Sequence, residues 1–471
     1  MFDDLDQALK YVREQEIAMV DLKFCGLWGN WHHVTLHASQ FNKDTMTHGV
    51  GFDGSSVGVR SVKSGDMVLV PDLSTGMRDP FWDLPTLSFI CTMLEADTHA
   101  VFANDPRTIA VHAEAHLRQS GIADESRWGP EFEFYVFDRA VFENGANFAG
   151  YRLDSSEAGW SGADKLNGHP IPPHSGYHAT PPLDQHHNLR SAIAVHLHAM
   201  GVPVKYHHHE VGGAGQCEIE TPMMGLVQSG DATMLVKYVT KLAARAVGKA
   251  ATFMPKPLYN EAGNGMHFHQ HLFKDGRNLF YDPSGYGNLS EAARFYIGGL
   301  LHHGGALLAL TSPSTNSYRR LVPGFEAPVN AFYSLGNRSA AVRIPKYANQ
   351  PGSTRIEFRP PDATCNVYLA LAAQLLAGLD GILRRIDPSA AGFGPIDDDI
   401  FAWSPAQREA IQSLPTSLEK ALLALKADHD FLLAGGVFSE ELIARWIDHK
   451  VKNECFQVSS RPHPYEMTLY F

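Results

Sequence analysis

Along the first hundred residues, helical spacing of apolar positions over 3–16 gives way to strand-like runs. The stretch VDLKFCGLWGNWHHVTL (20–36) predicts a hairpin turning at Gly29-Asn30, and 66–75 and 86–94 predict further strands. The segment 104–121 opens on Asn-Asp-Pro and closes at Gly121, the N-cap, early proline and terminal glycine of a helix. Beyond 125 strands are separated by helices, expected at 184–200, 226–250, 290–310, 365–386, 417–427 and 439–450. The stretch 155–182, rich in Gly, Pro, His and Ser, predicts a long functional loop, because compact domains seldom keep such loops idle. The change of pattern puts a domain boundary near 100–106.

Four separated segments share a second pattern, polar residues at i and i+2 with mostly apolar residues between. GPEFEFYVF (129–137) sets Glu131 and Glu133 opposite Phe132 and Phe134, and GQCEIET (215–221) does the same with Glu218 and Glu220. MHFHQH (266–271) alternates His267, His269 and His271 with Met266, Phe268 and Gln270, and TRIEFRP (354–360) sets Arg355, Glu357 and Arg359 against Ile356 and Phe358. Strand side chains alternate with period 2, so each segment offers one charged face and one core face. Taken singly, each is an ordinary amphipathic strand with a wet face. Together they collect carboxylates, imidazoles and guanidiniums without a lysine, which points to one polar funnel.

Composition narrows the chemistry. With 39 Lys and Arg against 51 Asp and Glu, the net charge of −12 argues against nucleic acid or an anionic membrane as partner. The five cysteines are odd in number and have no CxxC spacing, which argues against a disulfide scaffold and favours a reducing, cytoplasmic setting. The acidic opening MFDDLDQALKYV lacks the character of a signal peptide, and the most apolar run, 299–310, is broken by His302 and His303. Crowded carboxylates need cations, oxygen donors with an imidazole suit Mg²⁺ or Mn²⁺, and neighbouring arginines suit phosphoryl oxygens. Metal-assisted phosphoryl transfer from a nucleotide is the implied chemistry. HHHEVGGAG (207–215) is no HExxH zinc motif, no GxxxxGK[ST] phosphate loop occurs, and GVGFDGSSVGV (49–59) lacks a dinucleotide fingerprint.

Seven motifs then follow in order: FDGSS (52–56), GPEFEF (129–134), HHHEVGGAGQCE (207–218), KPLYNEAGNGMHFH (256–269), YRRLVPGFEAP (318–328), NRSAAVRIP (337–345) and STRIEFRPPD (353–362). Across nearly the whole chain they resemble glutamine synthetase of the bacterial type I class. The resemblance implies an α+β protein, with a small N-terminal β-grasp domain over 1–103. A large C-terminal α/β domain over 104–471 would follow, its curved antiparallel sheet forming the active-site funnel. It also implies a homododecamer of two stacked hexameric rings, each site completed by Asp53 of a neighbouring subunit.

The resemblance further implies roles at matching positions. Glu133, Glu210 and Glu218 match ligands of a Mg²⁺ or Mn²⁺ ion near ammonium and glutamate. Glu131, His267 and Glu357 match ligands of an ion bridging the ATP phosphates, with two to three ions in each site. Glu220 matches no ligand and is expected to be a structural or surface carboxylate. Gly263, Arg320 and Arg359 match glutamate-binding positions. Arg338, Arg343 and Arg355 match groups that stabilise the transferred phosphoryl charge, and His269 lies near the nucleotide. Asp53, Ser56, Tyr177 and Glu210 match an ammonium pocket in which Asp53 takes the proton, with Asp66 as a further member. Glu326 matches a flap that excludes water. The implied reaction phosphorylates the glutamate side chain with ATP and displaces phosphate by ammonia.

Some positions depart from the family pattern. Ala262 stands where Asn is common, Asn264 lies two places on, His271 replaces a Ser, and a Lys before STRIEF is missing. Phe401 stands at the tyrosine that some members adenylylate, and no Tyr occurs between Tyr368 and Tyr465, so control by adenylylation is not expected. Two rival readings remain, a γ-glutamyl ligase using a polyamine or other amine, and a non-catalytic paralogue. Retention of Asp53, Tyr177, Glu326 and all six metal ligands favours ammonia and catalysis.

Overall fold

In the computed structural model, which describes residues 2–60, 65–161, 168–324, 327–398, 400, 403–404, 407 and 411–471, the first hairpin forms as expected. β1 (Met19–Cys25) and β2 (Trp31–His37) pair antiparallel with Cys25 opposite Trp31, and the turn uses Gly29 at φ +83°, a left-handed value that glycine accepts without strain. β3 (Val50–Asp53), β4 (Asp66–Pro71), β5 (Met77–Asp79) and β6 (Thr86–Glu95) complete a sheet of order β2-β1-β6-β4-β3, with β5 on β6. Only β1 and β6 run parallel within it. β3 is an edge strand, and Asp53 is its last residue.

Helix Pro106–Gln119 starts where expected, with Asp105 accepting from the Arg107 N–H and proline in the first turn. Its Arg107 ties the two parts of the chain together, 2.9 Å from Asp72 beyond β4 and 2.9 Å from Asp231 on helix Leu226–Ala246.

The second sheet is built from β7 (Glu125–Phe137), β10 (Tyr206–His209), β11 (Gln216–Glu220), β12 (Met224–Gly225), β13 (Ala250–Thr252), β14 (Phe268–Lys274), β15 (Arg277–Asn278), β16 (Asn330–Leu335), β17 (Ala340–Ile344) and β18 (Ile356–Phe358). β8 (Arg139–Asn144) and β9 (Ala149–Asp154) form a separate ribbon. The main path runs β10-β11-β7-β14-β18-β17-β16. It is antiparallel, as expected, except at one edge, where β16 and β17 are parallel.

Helices cover one side of this sheet. The helix expected over 290–310 divides into Glu291–His302 and Gly304–Thr311. At the break the His303 ring is held 2.8 Å from both Asp380 and Asp428, and two glycines of low helix propensity follow. Helix Val367–Arg384 is, among the described residues, the one long and apolar enough to cross a membrane, and 78% of it is buried as a core element. It approaches helix Glu291–His302 closely at Gly378, where a Cβ would stand 2.1 Å from the Tyr296 ring.

Candidate active site

β11, β7, β14 and β18 are neighbours in that order, so the four alternating segments merge into one surface. Register decides which groups meet. Glu218 lies opposite Glu133 and Glu220 opposite Glu131, while His269 and Arg343 both lie opposite Glu357. Residues directly opposite in an antiparallel pair sit about 5 Å apart at Cβ, so each match places two charged groups in contact. On the other face Ile219 meets Phe132 and Phe268 meets Phe358, all fully buried in the core.

Toward β18 the carboxylates have histidine or arginine partners. Glu131 receives His267 Nδ1 at 2.9 Å and His269 Nε2 at 2.8 Å. Burial opposes its ionisation, but the two histidine hydrogen bonds win and hold it well below the usual range. Glu357 is fully buried and clasped by Arg343 on one oxygen and Arg359 on the other. Those guanidiniums overcome burial and bring its pKa down to about 2. His267 also lies 3.5 Å from Glu357, and burial together with Arg359 pushes its pKa down to about 4, leaving a neutral imidazole. Arg320 donates to His267 Nε2 at 3.2 Å and to the carbonyls of Arg359, Pro360 and Pro361. The Tyr347 ring carries Arg343 and Arg355 over its face.

Toward β10 the carboxylates face one another. Glu133 accepts from the Gly265 N–H at 2.7 Å, yet burial and the Glu210 carboxylate raise its pKa to about 7. Burial, Glu131, Glu210 and Glu133 push Glu218 well above the carboxylate range, and it shares a hydrogen bond with Glu210. His208 stands 3.4 Å from Glu218 and 4.0 Å from Glu210. Tyr177 and Arg338 meet beside Glu210 and Glu218.

This donor set fits divalent metal. Glu131, His267 and Glu357 place ligand atoms within 4.8 Å of one another, as do His208, Glu210 and Glu218. Buried carboxylates with raised pKa values lack positive charge, and a hard cation supplies it.

Comparison with known proteins fits the same surface. The family model described as glutamine synthetase, catalytic domain, matches residues 103–470, and the glutamine synthetase beta-Grasp domain model matches 16–96. The chain belongs to the glutamine synthetase family. It is 46% identical to the glutamine synthetase of Frankia alni over 100% of both chains, and 45% identical to that of Nostoc over 99% of this chain and 98% of the relative. Its fold is similar to the cryo-electron microscopy structure of Plasmodium falciparum glutamine synthetase, with a TM-score of 0.88 at 26% identity over 100% and 99% of the two chains.

Against the family pattern, the sheet gathers Glu131, Glu133, Glu210, Glu218, His267, His269, Glu357 and the arginines Arg320, Arg338, Arg343 and Arg359 around one funnel. Gly263 packs against Arg320, where an added Cβ would stand 2.8 Å from Arg320 Cγ. Arg355 is turned toward the Ser353 carbonyl at 3.2 Å. Asp53, Ser56 and Asp66 are exposed, and Asp53 is bound within its own turn by the Ser55 N–H at 2.9 Å and Ser56 Oγ at 2.6 Å. Those bonds, led by Ser56, lower its pKa. Glu326 and Phe401 lie outside the described residues.

Glu220 corrects the sequence reading in part. It is buried, not at the surface, paired with Lys205, and within ligand distance of Glu131 and His269. Sequence reasoning also missed His208 as a partner of Glu210. The signal was available, since His208 and Glu210 are i and i+2 like the other pairs. Two departures prove structural. Asn264 is buried with its amide bound to Gln216 and to the Met254 carbonyl, and His271 is bound to the Thr354 carbonyl at 3.1 Å.

Proposed function

We propose that this chain joins ammonia to the side-chain carboxylate of L-glutamate at the expense of ATP, giving L-glutamine, ADP and phosphate through γ-glutamyl phosphate. Glutamine synthetase activity follows from full-length kinship with the curated enzymes. The observation that carries the mechanism is the pairing of Glu218 with Glu133 and of Arg343 with Glu357 across adjacent strands. It joins an anionic end, suited to ammonium, to a cationic end, suited to phosphoryl oxygens.

Glu131, His267 and Glu357 would hold one divalent ion, and Glu133, Glu210 and Glu218 another, with His208 beside it. When bound, such ions neutralise phosphate charge and polarise the phosphoryl group under attack. The chain's own groups do the rest. Arg320 and Arg359 hold the glutamate carboxylates, Gly263 leaves the substrate room, and Arg338, Arg343 and Arg355 stabilise charge spreading over the transferred phosphoryl group. His269 lies on the nucleotide side. Tyr177, Glu210 and Ser56 confine ammonium, Asp53 takes its proton, and Glu326 closes the site against water. Asp53 and Ser56 are bound within their own exposed turn, which supports completion of the site by a neighbouring subunit in a dodecamer of two rings. We place the domain boundary between 103 and 104. The five cysteines, all free and buried, support a reducing, cytoplasmic setting.

The test is ATP-dependent phosphate release with glutamate plus ammonium, run beside glutamate plus methylamine or a polyamine. Release with ammonium as the preferred amine is expected. Preference for a larger amine would give the site to the amine-ligase reading, and no release with any amine would favour the non-catalytic one.

A further inference from the structure

Behind the β10 end of the funnel lies a buried pair outside the roles described above. Glu157, in the long loop between β9 and helix His187–Ala199, has no solvent exposure, and His209, at the end of β10, is 1% exposed. Glu157 Oε1 accepts from the Gln185 N–H at 2.6 Å, and Oε2 lies 3.1 Å from His209 Nε2 and 3.6 Å from His186 Nε2. The other nitrogen of His209, Nδ1, donates to the carbonyl of Glu210 at 2.6 Å. Both ring nitrogens therefore face oxygen acceptors, and the buried carboxylate of Glu157 fixes a ring that in turn holds the backbone of Glu210.

The same ring supports the loop segment that bears Tyr177. Gly176 packs so closely on it that a Cβ would stand 2.5 Å from His209 Cε1 and 2.4 Å from the Glu210 carbonyl oxygen. The Gly176 N–H donates to the Val211 carbonyl at 3.1 Å, and the His178 N–H donates to the His209 carbonyl at 3.0 Å. Tyr177 is thus fixed on both sides to the strand end that carries Glu210. The two walls assigned above to the ammonium pocket share one buried support.

We propose that Glu157, acting through His209, is a positioning residue that sets the spacing of Tyr177 and Glu210 and so governs the choice of ammonia over larger amines. This rests on the reading of Tyr177 and Glu210 as pocket walls. Burial makes the device stiff, because a polar group left unpartnered at this depth is costly and neither partner can leave without the other. Groups that orient a site residue from behind typically govern about 10- to 100-fold in affinity or activity, with little effect on distant substrates.

The test measures KM values for ammonium, glutamate and ATP, with kcat, in the full-length assembled enzyme and its variants. Glu157→Gln keeps the shape but turns an amide N–H toward the ring nitrogen. It is expected to raise the ammonium KM by about 10-fold, leave the ATP KM within about 2-fold, and lower the preference for ammonium over methylamine. Glu157→Asp, which keeps the charge, should fall between wild type and Glu157→Gln. If Glu157→Gln does not fold, His209→Gln carries the same test. An unchanged ammonium KM and amine preference, or equal loss for all three substrates, would overturn the proposal. Tyr177→Ala separates the two levels of inference. If it raises the ammonium KM while Glu157→Gln does not, only the positioning role fails; if neither does, the pocket reading fails.

Discussion

At the Glu357 end of the funnel the chain supplies its own partners, with the guanidiniums of Arg343 and Arg359 on one carboxylate and hydrogen bonds from His267 and His269 on Glu131. At the Glu218 end three glutamates meet, and burial and their mutual repulsion push Glu133 and Glu218 up in pKa. Both ends come from the same alternation on neighbouring strands. The difference teaches that one end is neutralised on folding, while the other stays frustrated until a cation arrives. Such a division suits an enzyme that must hold polyanionic ATP with fixed positive charge while drawing a small cation, ammonium, into a negative pocket.

The sharpest way to break this comparison is to delete one carboxylate from each end. Glu357→Ala removes the buried carboxylate that Arg343 and Arg359 share and should cost about 3–5 kcal/mol of stability in metal-free protein. Glu218→Gln replaces a carboxyl that burial and its glutamate neighbours already hold toward the neutral form, and should leave metal-free protein no less stable than wild type. Urea midpoints measured in chelator decide the matter. Equal destabilisation by both substitutions would mean that the two ends are not electrostatically different.

Adding metal probes the same contrast at a smaller scale. Mn²⁺ at a hundredfold excess over its dissociation constant should stabilise the wild type by about 2.7 kcal/mol. Glu218→Gln should forfeit most of that gain. Thermal melts with and without chelator would show it, and a full metal response in Glu218→Gln would remove that carboxylate from the ligand set.

A third and weaker effect is the response to pH. The folded-state pKa of Glu133 is about 7 against an ordinary 4.5, so the metal-free fold keeps a proton that the unfolded chain gives up between those values. The fold then binds more protons than the unfolded chain, and stability falls as pH rises through that window. Glu357 has the opposite sign. Its folded-state value is about 2, so its contribution is full above 4.5 and is lost as pH falls toward 2. Metal-free wild type should therefore be less stable at pH 7.5 than at pH 5, and Glu133→Gln should reduce that difference while the part owed to Glu218 remains. A slope unchanged by that substitution would refute the assignment.

Much of this site could be read in the linear chain. Period-2 alternation is a local property of extended backbone, so the face shared by Glu131 and Glu133, or by Arg355, Glu357 and Arg359, needed no fold to find it. The seven ordered motifs marked the family, and capping chemistry around Asp105, Pro106 and Gly121 marked a helix. Other features were less legible. His303 reads as one polar residue in an apolar helix, and only its two distant aspartates show why the helix divides there.

What the chain by itself determined was which residues share a face and what chemistry that face can hold. Which faces meet was decided by tertiary structure. Strand order and register place Glu218 opposite Glu133 and Glu220 opposite Glu131, and they bury Glu220, which the sequence left as either a structural or a surface carboxylate. They likewise bring Glu157 to His209 across 52 residues of chain. Such contacts depend on loop closure and on the burial of other segments, and no local propensity encodes them. Electrostatics in a low-dielectric funnel then follows from those meetings. A glutamate has the same ordinary pKa everywhere in the linear chain, and only its neighbours in space make Glu133 half-neutral and Glu357 firmly charged.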